Sequence, residues 1–227
     1  MEAGRRELGE FYLCNFMIYI IISGIDGSGK TSVINTLQNE LTKQGKNTQY
    51  IWLRYNHYFV KPLHALARLI GLSRKHKSAE GKVWRHEFYK SKLFSALYIR
   101  FTILDTYIGR LKLKKELKKV TDIVICDRWI NDIAIDLGTK THNEDFLETS
   151  YFKRLQKIIP ENSFQFIIYR ETKKLLKCRM ENREDPEFNY RNQFYGKLQN
   201  YEFVHSIDNN GTIVESVKQI LSVLNNG

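Results

Sequence analysis

The chain has 227 residues, 42% of them hydrophobic, and carries a formal charge of +11. That length supports one sizeable core, and that composition excludes wholesale disorder. No apolar run is long enough to span a bilayer, no secretory leader pattern is present, and Cys14, Cys126 and Cys178 are too scattered for a zinc site or a disulfide framework.

Residues 1–16 read as an N-terminal extension, with a second methionine, Met17, directly before the first strand. "MIYIIIS", Met17 to Ser23, is β-branched, aromatic and continuously apolar. That is the pattern of a strand buried on both faces, as in a parallel sheet. It runs into Gly24-Ile25-Asp26-Gly27-Ser28-Gly29-Lys30-Thr31, a full match to GxxxxGK[ST] between a strand and a helix. Glycines let the backbone approach a ligand closely, and the loop amides converge on an anion at the positive end of a helix. A lysine at this place reaches the β- and γ-phosphates, and the hydroxyl after it faces Mg²⁺. The stretch therefore reads as binding ATP with Mg²⁺ through Gly24, Asp26, Gly27, Ser28, Gly29, Lys30, Thr31 and Ser32.

Thr31 to Gln44 repeats Val33, Ile34, Leu37 and Leu41 at helical spacing and stops at Gly45. Thr48 to Arg54 reads as a second strand, Asp122 to Arg128 as a third, Phe164 to Arg170 as a fourth and Phe203 to Asp208 as a weaker fifth. Pro62 to Lys119 shows no strand signal and reads as two or three helices covering one end of the sheet. The basic run Arg110 to Lys119 reads as a solvated helix end rather than a nucleic-acid patch. Thr212 to Leu224 reads as a last amphipathic helix. Strands alternating with helices predict an α/β fold: three layers, a five-stranded parallel sheet flanked by helices, and one domain over 17–227.

Asp127 and Arg128 end the third strand. Open α/β sheets bind ligands outside the carboxyl ends of their strands. There an acid suits a water-mediated Mg²⁺ contact and an arginine suits phosphate, whose oxygens it pairs bidentately. A plain ion pair between the two neighbours is the alternative. Arg179 and Arg183 stand four apart on one helix face, where pairing with Glu181, Glu184 and Asp185 competes with a phosphate role. Tyr55, His57, Tyr58, Phe59 and Trp129 read as packing before base stacking.

"IIISGIDGSGKTS", "VICDRW" and the arginine-bearing "CRMENRED" together resemble the thymidylate kinase family of P-loop nucleoside monophosphate kinases. The resemblance follows the order of elements from Met17 onward. It implies that Asp26 contacts the acceptor's sugar hydroxyl, although a loop-tightening hydrogen bond would equally explain an acid there. It implies a mobile lid near 179–192 whose Arg179 and Arg183 neutralise the transferring phosphoryl group, with Arg191 nearby. It also implies a two-fold dimer face on the central helices. Three places depart from the family pattern. Asp132 stands where a small hydroxyl residue is usual, Thr106 follows Asp105 where an arginine is usual, and Asn56 replaces the proline after the second strand. All three shape the acceptor side.

The reading is thus a cytoplasmic, ATP- and Mg²⁺-dependent kinase with Lys30, Asp127, Arg128, Arg179 and Arg183 as its catalytic set and Thr31 and Asp127 facing the metal. Its partner is a small phosphate acceptor, dTMP first. Two alternatives stand beside it. One is a kinase of the same fold acting on a nucleoside, sugar or other alcohol, for which Asp127 or Asp132 could serve as base. The other is a nucleic-acid-associated NTPase using the +11 charge.

Overall fold

The computed structural model describes residues 17–53, 58–78, 81–117, 121–172, 174–175 and 187–226. Five strands form one sheet: β1 (Ile18–Ser23), β2 (Thr48–Trp52), β5 (Ile123–Asp127), β6 (Ser163–Tyr169) and β7 (Val204–Asp208). Their spatial order is β2-β5-β1-β6-β7, and every pairing is parallel. The α/β, three-layer, five-stranded reading therefore holds. β1 lies at the centre, which explains why its sequence is apolar without alternation. Ile20 and Ile22 enter one core with Val33, Ile34 and Leu37 of α1 (Lys30–Lys43) and Val217 and Ile220 of the last helix, α7 (Ile213–Asn226). Tyr19 and Ile21 enter the other core with Trp129, Ile133 and Phe152.

That second layer holds α3 (Lys92–Glu116), α4 (Ile130–Thr141), α5 (Ser150–Gln156) and α6 (Phe188–Leu198). α4 is buried from Ile130 to Thr139, polar residues included. Its Asn131 forms a closed ring of side-chain amides: Asn131 donates to Gln165, Gln165 to Gln156, and Gln156 to Asn131, at 3.1–3.2 Å. Each buried amide is thus satisfied without water.

The expectation of helices alone between Pro62 and Lys119 is corrected. After α2 (Val60–Leu69) the chain makes an antiparallel hairpin, β3 (Ser73–Ser78) with β4 (Gly81–His86), before α3. "SRKHKS" carries no alternating apolar residues, so no strand period was visible. Side chains next to the ladder hold it instead. Trp84 lies under the cations of Arg68 and Lys75, and His86 stacks on His64 at 4.0 Å while its Nδ1 meets Ser73 Oγ at 2.7 Å.

α2 begins at a Phe59 that offers no side-chain cap. Asp105, from the middle of α3, supplies the cap. Its carboxylate accepts the backbone N–H groups of Tyr58, Phe59 and Val60 at 2.8–3.1 Å. Three of the orphan donors of a helix start are thereby satisfied from a different helix.

Candidate functional site

The phosphate loop leaves β1 at the sheet's carboxyl edge and enters α1 at Lys30. Gly27 and Gly29 both sit at φ +89°, in the left-handed region. A Cβ on Gly29 would run into the Asn209 side chain, and one on Gly24 would come within 2.7 Å of the Ile168 carbonyl. Bare glycine is therefore needed for the loop to lie this close to β6 and β7. Asn209, just past β7, holds it there. Its Nδ2 donates to the Ser28 carbonyl at 2.6 Å, its Oδ1 accepts from Ser216 Oγ at 2.8 Å, and its own N–H bonds to the Tyr169 carbonyl. Neither Asn209 nor Ser216 was singled out from sequence, where "DNNG" reads only as a turn.

A cleft of about 350 Å³ opens over the loop, lined by Asp26, Gly27, Gly29, Lys30, Thr31, Ser32, Asp127 and Arg128. Most of the residues expected to form the site are thus brought together, from the end of β1, the start of α1 and the end of β5. Lys30 is 6% exposed and its Nζ donates to the Ile25 carbonyl at 2.7 Å, with Asp26 Oδ1 4.0 Å away. Burial first, and the neighbouring Arg128 cation second, pull its ammonium down to about 8, against the attraction of Asp26, Asp132 and Asp127. The charged form is thus penalised in the fold. That penalty is present in full below about pH 8 and is relieved as pH rises toward the unfolded lysine's 10.5. A polyphosphate seated in the loop reverses the penalty, so its binding is expected to take up protons between pH 8 and 10. Calorimetry in buffers of different ionisation heat reads this directly, and a binding heat independent of buffer in that window would rule it out.

Arg128 occupies a left-handed backbone conformation, φ +60°, and its N–H donates to the Ile22 carbonyl at 3.0 Å. Its guanidinium pairs with Asp26 of the loop and, through Nη1, with Asp132 of α4 at 3.3 Å. Asp26 faces an arginine across the cleft. Asp127 accepts the Tyr50 hydroxyl on Oδ2 at 2.8 Å, and partial burial and then this bond push the Tyr50 phenol up to about 12. The other oxygen, Oδ1, is buried with no hydrogen-bond partner among the described residues. Asp127 and Thr31 line the same cleft, and a carboxylate oxygen left without a partner there fits water-mediated Mg²⁺ binding. No cluster of three metal-ligating side chains exists among the described residues.

Other expected residues fall elsewhere. Arg179 and Arg183 lie outside the described residues, as do Tyr55 and His57. Arg191 is on α6 and pairs with Asp136 of α4 at 3.0 Å, a link between helices. Trp129 is 1% exposed and belongs to the core. Thr106 bonds back to the Thr102 carbonyl, and Arg110 reaches the Lys157 carbonyl. Arg170, which follows β6 and was not singled out, places Nη1 3.4 Å from the Gly27 carbonyl.

No family model matches the chain, and no curated protein matches it. Solved structures do. A thymidylate kinase from Ehrlichia chaffeensis is 19% identical, with 92% of this chain and 98% of that one covered and a TM-score of 0.52. A thymidylate kinase from Candida albicans is 16% identical, with 92% of each chain covered and a TM-score of 0.53. At these identities the likeness is one of fold.

Proposed function

We propose that this chain, whose fold is that of the thymidylate kinases, transfers the γ-phosphoryl group of ATP to a nucleoside monophosphate, dTMP being the first candidate. The observation that carries the reading is the cleft itself: an intact phosphate loop with buried Lys30 faces Asp127 and Arg128 across a space of about 350 Å³. Loop amides and Lys30 hold the donor's phosphates and stabilise charge on the moving group. Thr31 and Asp127 would hold Mg²⁺, which supplies charge neutralisation on the phosphates when bound. Arg128 leaves Asp26 to receive the acceptor's phosphate, and Asp26 is then open to a sugar hydroxyl. Arg179 and Arg183 complete the charge on the donor side. An acceptor phosphate oxygen is already anionic, so no protein base is required. Positioning and electrostatics supply the rate.

A specific observation favours a second reading. Asp105 is committed to the α2 cap and Thr106 to its own helix, so α3 offers no cation at those positions. Arg128, meanwhile, is shared by two carboxylates. Such a site would also accommodate an acceptor presenting a neutral hydroxyl, with Asp127 as its base. ADP release from Mg-ATP over a panel of dTMP, dUMP, CMP, AMP, GMP, thymidine and simple sugars separates the two. Turnover with dTMP is expected. Turnover with thymidine or a sugar alone would replace the first reading with the second, and stimulation only by a nucleic acid would overturn both.

No helix among the described residues is long and apolar enough to cross a membrane. A dimer face is assigned to α2 and α3, where Leu66, Leu69, Leu93, Leu104, Tyr107 and Leu111 are exposed. A monomer in sedimentation at micromolar concentration would exclude it.

A further inference from the structure

α4 and α6 are joined by two polar links one helical turn apart on each helix. Tyr195 donates its hydroxyl to Asp132 Oδ1 at 2.7 Å, and Arg191 meets Asp136 Oδ1 at 3.0 Å. The pairs 132 with 195 and 136 with 191 run in opposite senses, as residues four apart do on antiparallel helices. Phe194 packs so closely on Gly138 that a Cβ there would enter its ring. α6 is therefore seated on α4 by side chains with little room to shift.

The first link continues into the cleft. The Asp132 oxygen that receives Tyr195 also receives Arg128 Nη1, and the opposite side of that guanidinium reaches Asp26 in the phosphate loop. A line of contacts thus runs Tyr195, Asp132, Arg128, Asp26. Asp132 is 2% exposed, and its Oδ2 is buried with no hydrogen-bond partner among the described residues. A carboxylate buried in that way gives little net stability; neutral replacements of such pairs are often tolerated. Its geometric effect is larger. An arginine side chain has several free torsions, and a fixed acceptor at one nitrogen removes most of them.

We propose that Tyr195 and Asp132 are positioning residues for Arg128, fixing where its guanidinium stands over the phosphate loop and tying that position to the seating of α6. This rests on the functional reading of the cleft given above. An incoming phosphate displaces Asp26 from Arg128, while the Asp132 tether stops the freed guanidinium from swinging out of reach. Neither residue touches the reacting atoms.

The test has a direct readout and a kinetic one. Nitrogen-15 spectra of the full chain, with the Arg128 signals assigned through Arg128→Lys, report rotation about the guanidinium bonds. Slow rotation is expected in the unmodified protein and fast rotation in Tyr195→Phe and Asp132→Asn. In the kinetic arm each variant is expected to lower kcat/KM by about tenfold, the scale of one charged hydrogen bond. In an Arg128→Ala background each should lower it less than about twofold, because residues acting through a common partner are not additive. A purely structural role would move melting temperature but leave these two patterns flat. Unchanged Arg128 signals in both folded variants, or equal losses in both backgrounds, would overturn the proposal. If no compound of the panel is turned over, the spectra alone decide, and it is the functional reading that fails.

Discussion

Lys30→Met is expected to lower turnover by about 10²–10³-fold, the usual loss when one preorganised charge donor to a transition state is removed. The same change is expected to leave the melting temperature unchanged or raised. Lys30 is buried, and its ammonium is held in a setting that already disfavours the charge. Methionine fills the same channel without that penalty. Against this stands the hydrogen bond from Nζ to the Ile25 carbonyl at 2.7 Å, which methionine does not make. Activity and stability thus move apart, and steady-state kinetics with a thermal melt on one preparation measures both. A joint collapse would show that Lys30 holds the loop together and would weaken its catalytic assignment.

Asp105→Ala is expected to destabilise the fold by about 2–4 kcal/mol, by leaving three backbone donors at the start of α2 without their acceptor. Asp105→Asn keeps one acceptor oxygen, so it should cost about half as much. Urea unfolding of the two variants checks the order. Equal losses would mean that the carboxylate's charge, not its hydrogen bonds, seats α2. The pair also bears on the acceptor side of the cleft. If Asp105→Ala melts the α2 start yet leaves ADP release intact with every acceptor, then residues 58–60 take no part in the site.

The middle of the sheet was legible because β1 and β5 are buried on both faces and say so in apolar runs. Ile20 to Ile22 could hardly be read otherwise. The phosphate loop was legible because its geometry demands glycine and lysine at fixed spacing, and the carboxyl-edge rule placed Asp127 and Arg128 opposite it. The hairpin was not, because cations and histidines hold it through stacking rather than through an apolar period. Asn209, Tyr195 and Tyr50 escaped notice for another reason. Each acts through a hydrogen bond to a residue far away in the chain, and a single polar residue in a turn, helix or edge strand has no period to detect. Asp132 was noticed as a departure, but its partner on α6 could not be inferred from spacing.

The central place of β1 carries a consequence for how the chain comes to be folded. Its two neighbours, β5 and β6, begin roughly 100 and 145 residues further along. At ribosomal speeds of about 5–20 residues per second, the most apolar strand of the protein waits on the order of ten seconds before both partners exist. Until β5 is made, "IYIIIS" has two open edges and no charge of its own. The phosphate loop, whose shape depends on contacts with Ile168 and Asn209, is assembled only once residue 209 has been made. The loop's final shape therefore comes long after its own residues are made, and a chaperone that shelters the first strand should raise the yield of folded protein more than one acting on the finished fold.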